Sequence, residues 1–386
     1  MGFAAKPFNR IIQIAEGHVL TTDFIKLGVP GIQALQPYQA GKPIDELKRE
    51  MGITEVIKLA SNENPIGPGS KSLDAIRAVL SDLALYPDGS GYSLKQKLAQ
   101  KFDLNADEIT LGNGSSEIFT LLLRCYVTDQ HEVVYSQHGF AMYSILTNSV
   151  GATPVVVPAL NRGHDLDAMA AAVNDKTALV FIANPNNPTG TYVTAAQIRA
   201  FMGKVPEHVI VVLDEAYAEY VEQDDYADGL ELVSDYANLV VTRTFSKAYG
   251  LAALRIGYGV SNTAIADMMN RVREPFNVNS LALVAAEAAL DDEAHLTNSR
   301  KVNQQGIQQL MSGFEKMELE YIPTVGNFIS VNVGREAAPV YQELLRHGMI
   351  VRPIGGDYEL PNFLRVTIGL PEQNSAFLDA LAKVLA

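Results

Sequence analysis

The chain has 386 residues, 47% hydrophobic and 19% charged, a balance typical of a globular protein with two or three domains and a sizeable core. Its formal net charge of −14 and lack of any lysine- and arginine-rich run argue against a nucleic-acid partner. The one cysteine, Cys125, excludes an intrachain disulfide. No apolar run approaches the roughly 20 residues of a membrane span, and the seven histidines lack zinc-ligand spacing. We therefore expect a cytoplasmic protein without a metal site or membrane contact.

The predicted secondary structure begins with residues 1–30, which we interpret as an N-terminal arm. Pro43 predicts the start of a helix, because proline is favoured in a first helical turn. From about residue 70, helices alternate with short, nearly continuous runs of Val, Ile and Leu. Such strands are buried on both faces, which predicts a mostly parallel sheet flanked by helices. The strands are predicted in "EITLGNG", "HEVVYS", "TPVVVP", "TALVFIANP", "HVIVVLDEAY" and "NLVVTRTFS".

The pattern changes after about residue 285. A long helical stretch is followed by short strands and two further helices, which is typical of a separate α+β unit. We predict a large α/β domain over residues 70–285. A smaller α+β domain is predicted from both ends of the chain, residues 31–69 and 286–386.

Four polar, turn-rich motifs follow strands of the predicted sheet. In open α/β sheets, ligands bind beyond the carboxyl ends of the strands. The motifs "GNGSSE", "ANPNNPTG", "LDEAY" and "TFSKAYG" are therefore expected to meet at one edge of the sheet.

The first two motifs can contact a ligand through backbone and amide groups. Gly114 precedes a helix that opens near Ser115 and Ser116, and free N–H groups at a helix start bind phosphate. Ser115 as a simple N-cap is the alternative. In "NPNNPTG", side-chain amides could hold a ligand or merely form a turn, and a cis bond before Pro185 or Pro188 is a further option.

The other two motifs place charges next to buried strands. Asp214 ends an apolar strand and needs a cationic partner, which is either an arginine or a ligand. Desolvation should lower the pKa of Lys247 and make its amine nucleophilic, whereas the planar guanidinium of Arg255 suits a phosphate. The alternative is a pair of surface cations. One ligand with a phosphate, a protonatable ring nitrogen and an aldehyde accounts for all four motifs, and that ligand is pyridoxal phosphate.

With these motifs in place, the sequence resembles the fold-type-I pyridoxal-phosphate aminotransferase family, and within it the histidinol-phosphate aminotransferases. The resemblance extends from roughly residue 24 to the C-terminus. The stretches that support it are "LQPYQAGKPIDEL", "KLASNENPIGP", "LYPDGSGYSLKQKLA", "LGNGSSEI", "NPNNPTG", "LDEAY", "TFSKAYGLAALRIGYG", "VRPIGG" and "FLRVTIG". Ser116, Ala253 and the loop "GGDYELPNF" depart from the usual pattern of this subfamily.

The resemblance implies a role for each matched position. Lys247 binds the cofactor aldehyde covalently and later moves the substrate proton, Asp214 pairs with the ring nitrogen, and Tyr217 contacts the ring hydroxyl. Tyr86, in "LYPD", reaches the cofactor phosphate from the neighbouring subunit of a homodimer. The remaining implied contacts are Asn187 at the ring hydroxyl, Phe140 on the ring face, and Ser115, Ser116, Thr244, Ser246 and Arg255 at the phosphate.

The resemblance also implies the substrates. Arg365 and Arg352 would clamp the substrate phosphate, with Tyr38 and Asn64 near the amine-bearing end. A strand-end salt bridge is the alternative for the arginines. The implied reaction converts L-histidinol phosphate and 2-oxoglutarate to imidazole acetol phosphate and glutamate in histidine biosynthesis.

Three other functions remain open. An aromatic amino-acid aminotransferase would share every cofactor motif, and a phosphothreonine-type decarboxylase would release CO₂ without needing 2-oxoglutarate. A non-catalytic pyridoxal-phosphate-binding regulatory domain is the third, although no DNA-binding module or basic segment accompanies the motifs.

Overall fold

The computed structural model describes residues 22–37, 41–356 and 358–386. Residues 1–21 of the predicted arm and Tyr38 lie outside the described residues. The helices are α1 Pro30–Gln33, α2 Ile44–Met51, α3 Ser70–Ala78, α4 Tyr92–Phe102, α5 Ser115–Tyr126, α6 Ala141–Ser149, α7 Leu166–Ala172, α8 Ala195–Met202, α9 Gly229–Leu232, α10 Thr263–Val272, α11 Ser280–Ala289, α12 Glu293–Lys316, α13 Ala337–Arg346 and α14 Pro371–Leu385. The strands are β1 Ile57–Lys58, β2 Ile109–Gly112, β3 Glu132–Ser136, β4 Thr153–Val157, β5 Thr177–Ala183, β6 Ile210–Asp214, β7 Leu239–Thr244, β8 Gly257–Val260, β9 Tyr321–Ile322, β10 Phe328–Asn332, β11 Met349–Ile350, β12 Arg352–Pro353 and β13 Phe363–Thr367.

The largest sheet has seven strands in the order β2-β8-β7-β6-β5-β3-β4. Neighbouring strands from β4 to β7 run parallel, whereas β8 is antiparallel to both β7 and β2. This arrangement confirms the predicted α/β fold with a mostly parallel sheet. Within the described ranges, no helix has an apolar stretch long enough to cross a bilayer.

The two faces of this sheet belong to separate hydrophobic cores, because successive side chains of a strand point to opposite faces. In β6, Val211 and Leu213 pack into one core with residues of α4, α7, α8 and α11. Ile210 and Val212 pack into the other, with residues of α5, α6 and α10. Burial on both faces explains why these strands read as continuous apolar runs.

Strand β8 was not predicted from the sequence, because "GYGV" is short and contains two glycines. Both glycines are needed for packing. A Cβ on Gly257 would lie 2.4 Å from the backbone nitrogen of Ser115, and one on Gly259 would lie 2.8 Å from Cγ2 of Ile118. The glycines therefore let α5 approach the sheet closely.

Both ends of the chain contribute to a second set of sheets. Strand β1 pairs in parallel with β11, with Ile57 opposite Met349, and a four-stranded antiparallel sheet has the order β12-β13-β10-β9. Its core residues, such as Ile329 and Val366, pack with residues of α12, α13 and α14. The proposed domain limits at 31–69, 70–285 and 286–386 stay predictions.

Candidate active site

A cavity of about 320 Å³ lies beyond the carboxyl ends of β2, β5, β6 and β7. It brings together all four polar motifs, as expected for a sheet of this kind. The predicted site residues that line it are Ser115, Ser116, Phe140, Asn187, Asp214, Tyr217, Thr244, Ser246, Lys247, Arg255, Arg352 and Arg365.

One end of the cavity is formed by the start of α5. Gly114 is the N-cap, with a φ of 81° and no side-chain cap hydrogen bond, so the simple N-cap interpretation of Ser115 is wrong. A Cβ on Gly114 would lie 2.4 Å from Nη2 of Arg255, whose Nη1 is 3.4 Å from the Ser246 hydroxyl. In the described part of the chain, Arg255 has no carboxylate ion-pair partner. A helix N-terminus beside this guanidinium is suited to a phosphate.

Asp214 lies at the end of β6 with only 5% of its surface exposed. Its carboxylate accepts hydrogen bonds from the Tyr143 hydroxyl at 2.7 Å and from the Thr242 hydroxyl at 3.2 Å. Burial raises the pKa of Asp214 to about 6, although these hydrogen bonds oppose the shift. The sequence did not identify Tyr143 or Thr242; the available signal was that Tyr143 follows Phe140 by one turn of α6.

Lys247 faces the cavity from the loop after β7. Its ammonium nitrogen donates to the carbonyl oxygen of Ser61 at 3.2 Å and lies 5.7 Å from the centre of the Tyr217 ring. Burial lowers the pKa of Lys247 to about 7, and the positive charge of Arg365 is the second cause of this shift. A large fraction of this amine is therefore neutral near neutral pH and can act as a nucleophile or a base.

Tyr217 is fixed by a residue that the sequence did not identify. Its hydroxyl accepts a hydrogen bond from the side-chain amide of Asn62 at 2.9 Å, and burial raises the pKa of the phenol. Asn62 has a φ of 54° and is 1% exposed. The hydroxyl therefore stays protonated and is directed by this amide.

Asn187, Arg352 and Arg365 also line the cavity. Arg365 is 6% exposed, and it donates to Oδ1 of Asn187 at 2.5 Å and to the Ala60 carbonyl at 2.8 Å. Its buried Nε has no hydrogen-bond partner among the residues that the structure describes. No described carboxylate forms an ion pair with Arg365, which excludes the predicted salt-bridge alternative for this residue within the described ranges. Arg352 is its cross-strand partner. The buried guanidinium of Arg365 suits an anionic ligand.

The peptide bonds that precede Pro185 and Pro188 are both cis.

Two of the predicted residues that the structure describes do not line this cavity. Tyr86 is 82% exposed and stacks on Phe276, with ring centres 4.6 Å apart. The side-chain amide of Asn64 donates to the Ala248 carbonyl and the Ser299 hydroxyl, both at 2.9 Å, so it supports a loop instead of facing the cavity. Tyr38 lies outside the described residues. The role expected for Asn64 near the amine-bearing end of the substrate stays a prediction.

The lining residues fit pyridoxal phosphate. Asp214 is buried with hydroxyl and backbone hydrogen-bond donors and no cation among them, which leaves room for a protonated ring nitrogen. Lys247 offers an amine of lowered pKa for an aldehyde, and Arg255 at the start of α5 suits the phosphate. Among the described residues, no group of His, Cys, Asp and Glu side chains is arranged to hold a metal ion.

Known proteins are similar to this chain in sequence and in fold. Residues 54–381 match the family model for aminotransferase class I and II. Histidinol-phosphate aminotransferase 2 of Pseudomonas fluorescens is 56% identical over 369 residues, which cover 95% of this chain and 100% of the relative. Histidinol-phosphate aminotransferase 1 of Idiomarina loihiensis is 54% identical, with 93% and 98% covered. The crystal structure of histidinol-phosphate aminotransferase from Sinorhizobium meliloti, in complex with pyridoxal-5'-phosphate, is 29% identical, with a TM-score of 0.85 and 92% and 96% covered.

These matches confirm the family resemblance that the motifs predicted. They extend over nearly the whole chain and include every strand that contributes to the cavity. The chain belongs to the aminotransferase class I and II family and groups there with the histidinol-phosphate aminotransferases.

Proposed function

We propose that this protein is a cytoplasmic, pyridoxal-phosphate-dependent aminotransferase of histidine biosynthesis. It transfers the amino group of L-histidinol phosphate to 2-oxoglutarate, giving imidazole acetol phosphate and glutamate. The observation that carries the proposal is the placement of Lys247, with its pKa lowered to about 7, in one cavity with Asp214 and the cross-strand pair Arg352 and Arg365. This cavity combines a nucleophilic amine with an anion site.

Pyridoxal phosphate, when bound, supplies an electron sink for the negative charge left when a proton leaves the amine-bearing carbon of the substrate. Asp214 would hold the ring nitrogen in its protonated form, and Tyr143 keeps this carboxylate oriented. Tyr217 and Asn187 would contact the ring hydroxyl, and Phe140 would cover one face of the ring. The cavity-lining residues that would hold the phosphate group are Ser115, Ser116, Thr244, Ser246 and Arg255.

Lys247 moves the proton. With the cofactor in place, the free amine of Lys247 would be the base that takes the proton from the amine-bearing carbon of the substrate and later gives it back. A pKa of about 7 suits both steps, because the group can accept and release a proton near neutral pH. The Ser61 carbonyl, 3.2 Å from the amine, keeps it on this side of the cavity.

Arg352 and Arg365 bind the anionic end of each substrate. In one half-reaction they hold the phosphate of the amine, and in the other a carboxylate of 2-oxoglutarate. A guanidinium suits both anions, because its parallel N–H groups match two oxygens of either. Asn187 and Ala60 hold Arg365 in place.

A homodimer completes the site in this proposal. Tyr86 is 82% exposed, and further exposed apolar side chains occur close to it in the sequence or stack on it, namely Leu83, Leu85, Tyr92 and Phe276. An exposed apolar surface of this kind favours association. Tyr86 then reaches the cofactor phosphate of the partner subunit, as the family resemblance implies.

The proposal is tested with a panel of amines. The enzyme, loaded with pyridoxal phosphate, is mixed with 2-oxoglutarate and with L-histidinol phosphate, L-phenylalanine or O-phospho-L-threonine. Glutamate and CO₂ are measured separately. We expect glutamate from L-histidinol phosphate with a kcat/KM at least about 100-fold above that for L-phenylalanine, because charged, bidentate contacts to a phosphate are worth about 3 kcal/mol.

Two results would contradict the proposed substrate. Rapid glutamate formation from L-phenylalanine, with none from L-histidinol phosphate, would identify an aromatic amino-acid aminotransferase. Release of CO₂ from O-phospho-L-threonine without glutamate would identify a decarboxylase. Absence of any reaction in an enzyme that binds pyridoxal phosphate would indicate a regulatory role.

A further inference from the structure

The two arginines of the anion site lie on one hairpin. Arg352 of β12 and Arg365 of β13 are direct cross-strand partners, so the segment that joins the strands influences how the arginines face each other. We call residues 354–356 and 358–362 the clamp loop. The loop closes on itself, since the backbone N–H of Ile354 donates to the Phe363 carbonyl and that of Leu360 to the Ile354 carbonyl, both at 3.1 Å.

The clamp loop also packs against α6, a helix that covers the large sheet. Ile354, Tyr358 and Leu360 are buried and form a small hydrophobic cluster with Ala141, the first residue of α6. Ala141 directly follows Phe140, which lines the cavity. The hairpin that carries the arginines is therefore docked beside the residue proposed to cover the cofactor ring.

His138 joins the two sides of this contact. It is 7% exposed, and its Nδ1 lies 2.8 Å from the backbone carbonyl oxygen of Tyr358. A carbonyl oxygen can only accept, so Nδ1 carries the proton and donates. The neighbouring Gln137 donates to the carboxylate of Glu359. Two consecutive side chains after β3 thus hold two consecutive residues of the clamp loop.

The backbone of His138 is itself fixed to the asparagine loop. Its carbonyl accepts a hydrogen bond from the side-chain amide of Asn186 at 3.0 Å. The next residue, Asn187, accepts from Arg365. His138 consequently lies at a junction of three segments, each of which contributes a side chain to the cavity: Phe140, Asn187 and Arg352.

We infer that His138 is a positioning residue, which fastens the clamp loop to the large sheet and so sets Arg352 opposite Arg365 for the phosphate of the substrate. The identity of that substrate rests on the proposed function, whereas the loop contact does not. Loss of the histidine N–H would remove the hydrogen bond that joins His138 to the Tyr358 carbonyl, which loosens the attachment of the loop.

The test compares two substitutions of His138 in the enzyme loaded with pyridoxal phosphate. His138→Asn keeps an N–H group at the position of Nδ1, while His138→Leu keeps a similar volume without a donor. His208→Ala, at an exposed histidine, is the control. Hydrogen exchange is followed in the peptide that contains Ile354 and Leu360, and kcat and KM are measured with L-histidinol phosphate.

We expect faster exchange in the clamp loop of His138→Leu and a rise in KM of about tenfold, as for loss of one buried hydrogen bond, with kcat changed less than about twofold. His138→Asn and the control should resemble the wild type. The inference is wrong if His138→Leu leaves hydrogen exchange and KM unchanged. It is also wrong if His138→Asn is impaired to the same degree as His138→Leu, since a change in packing alone would then explain the defect. Should the wild type not use L-histidinol phosphate, the proposed function fails and the exchange measurements alone decide on the clamp loop.

Discussion

Asp214 is oriented by a tyrosine whose own position is fixed by aromatic packing. The Tyr143 ring stacks on Phe181, with ring centres 4.3 Å apart and planes within 5°. It also meets the Phe140 ring edge-on at 5.8 Å. The hydroxyl of Tyr143 has therefore little freedom to leave the carboxylate, which it contacts at 2.7 Å. Phe140 and Asp214, proposed to contact different parts of the same cofactor, are thereby linked through one ring.

Replacing Tyr143 by Phe should weaken the binding of pyridoxal phosphate. The hydroxyl favours the ionised form of Asp214, so its loss raises a pKa that already stands at about 6. Below its pKa the carboxyl group is neutral and cannot pair with a protonated ring nitrogen. We expect an increase in Kd of about tenfold near pH 7.5, the effect of losing a hydrogen bond to a charged group, and a larger increase near pH 6.

Absorbance titration of the cofactor-free enzyme at several pH values measures this effect. Tyr135→Phe is a suitable control, because Tyr135 is also buried but hydrogen bonds to Ser144 and not to Asp214. Equal Kd values for Tyr143→Phe and the wild type at every pH would show that the hydroxyl has no part in holding Asp214 ionised.

The sequence predicted the charged residues of the cavity better than their neutral partners. Lys247 and Asp214 follow apolar strands, where a charge needs a ligand or an ion pair, so their position alone indicated a role. Asn62 contacts Tyr217, which lies 155 residues away in the chain. No local pattern reports such a contact, because it depends on how distant segments pack.

At the level of secondary structure, the proposed site for the cofactor phosphate depends on the contact between α5 and β8. Gly257 should not tolerate a side chain, since a Cβ there would lie 2.4 Å from the Ser115 nitrogen and 2.8 Å from the Arg243 carbonyl oxygen. These are backbone atoms, which cannot rotate away. Gly257→Ala is expected to lower the free energy of unfolding by about 1–3 kcal/mol and to weaken cofactor binding by displacing the start of α5.

Urea unfolding and cofactor titration check this prediction. Gly203→Ala is the matched control, because the nearest atom to a Cβ at this position is 3.6 Å away and no positive φ is required. We expect the control to change the free energy of unfolding by less than about 0.5 kcal/mol. A Gly257→Ala enzyme as stable as the control, with normal cofactor affinity, would contradict the proposed close contact.

Strands were predictable where their burial shows in the sequence. Runs such as that of β6 are apolar up to their last residue because both faces are covered. Strand β8 depends instead on pairing with β7 and β2 and on space for α5, which local composition does not reveal. Ala253, which the sequence analysis named as a departure, is exposed in a short 3₁₀ turn, so its methyl group meets no packing constraint.

For the whole molecule, the proposed dimer can be tested by mixing inactive subunits. If Tyr86 acts across the interface, a Tyr86→Ala chain lacks a residue of its partner's site, and a Lys247→Ala chain lacks the amine of its own. A mixed dimer then contains one site with both residues intact. Random mixing after partial denaturation should restore about a quarter of wild-type activity, whereas each variant alone stays nearly inactive.

If Tyr86 served its own subunit, no intact site could form in a mixed dimer. The activity of the mixture would then equal only the sum of the activities of the two variants measured separately. Sedimentation of the mixture gives the assembly state independently. Cofactor content should also recover with mixing, since Tyr86 is proposed to contact the phosphate.

The pairing of β1 with β11 shows that segments from the first and last parts of the chain meet in one sheet, as the sequence predicted.

The role of Lys247 is tested by locating the residue that binds pyridoxal phosphate covalently. The cofactor-free enzyme is mixed briefly with pyridoxal phosphate at pH values between about 5 and 9, reduced with borohydride, digested and mapped by mass spectrometry. We predict modification of Lys247, with a yield that rises as the pH increases through about 7, because the lowered pKa leaves the amine neutral above this value. Modification of another lysine instead, or a yield at Lys247 that rises only near the ordinary lysine pKa of about 10.4, would contradict the account.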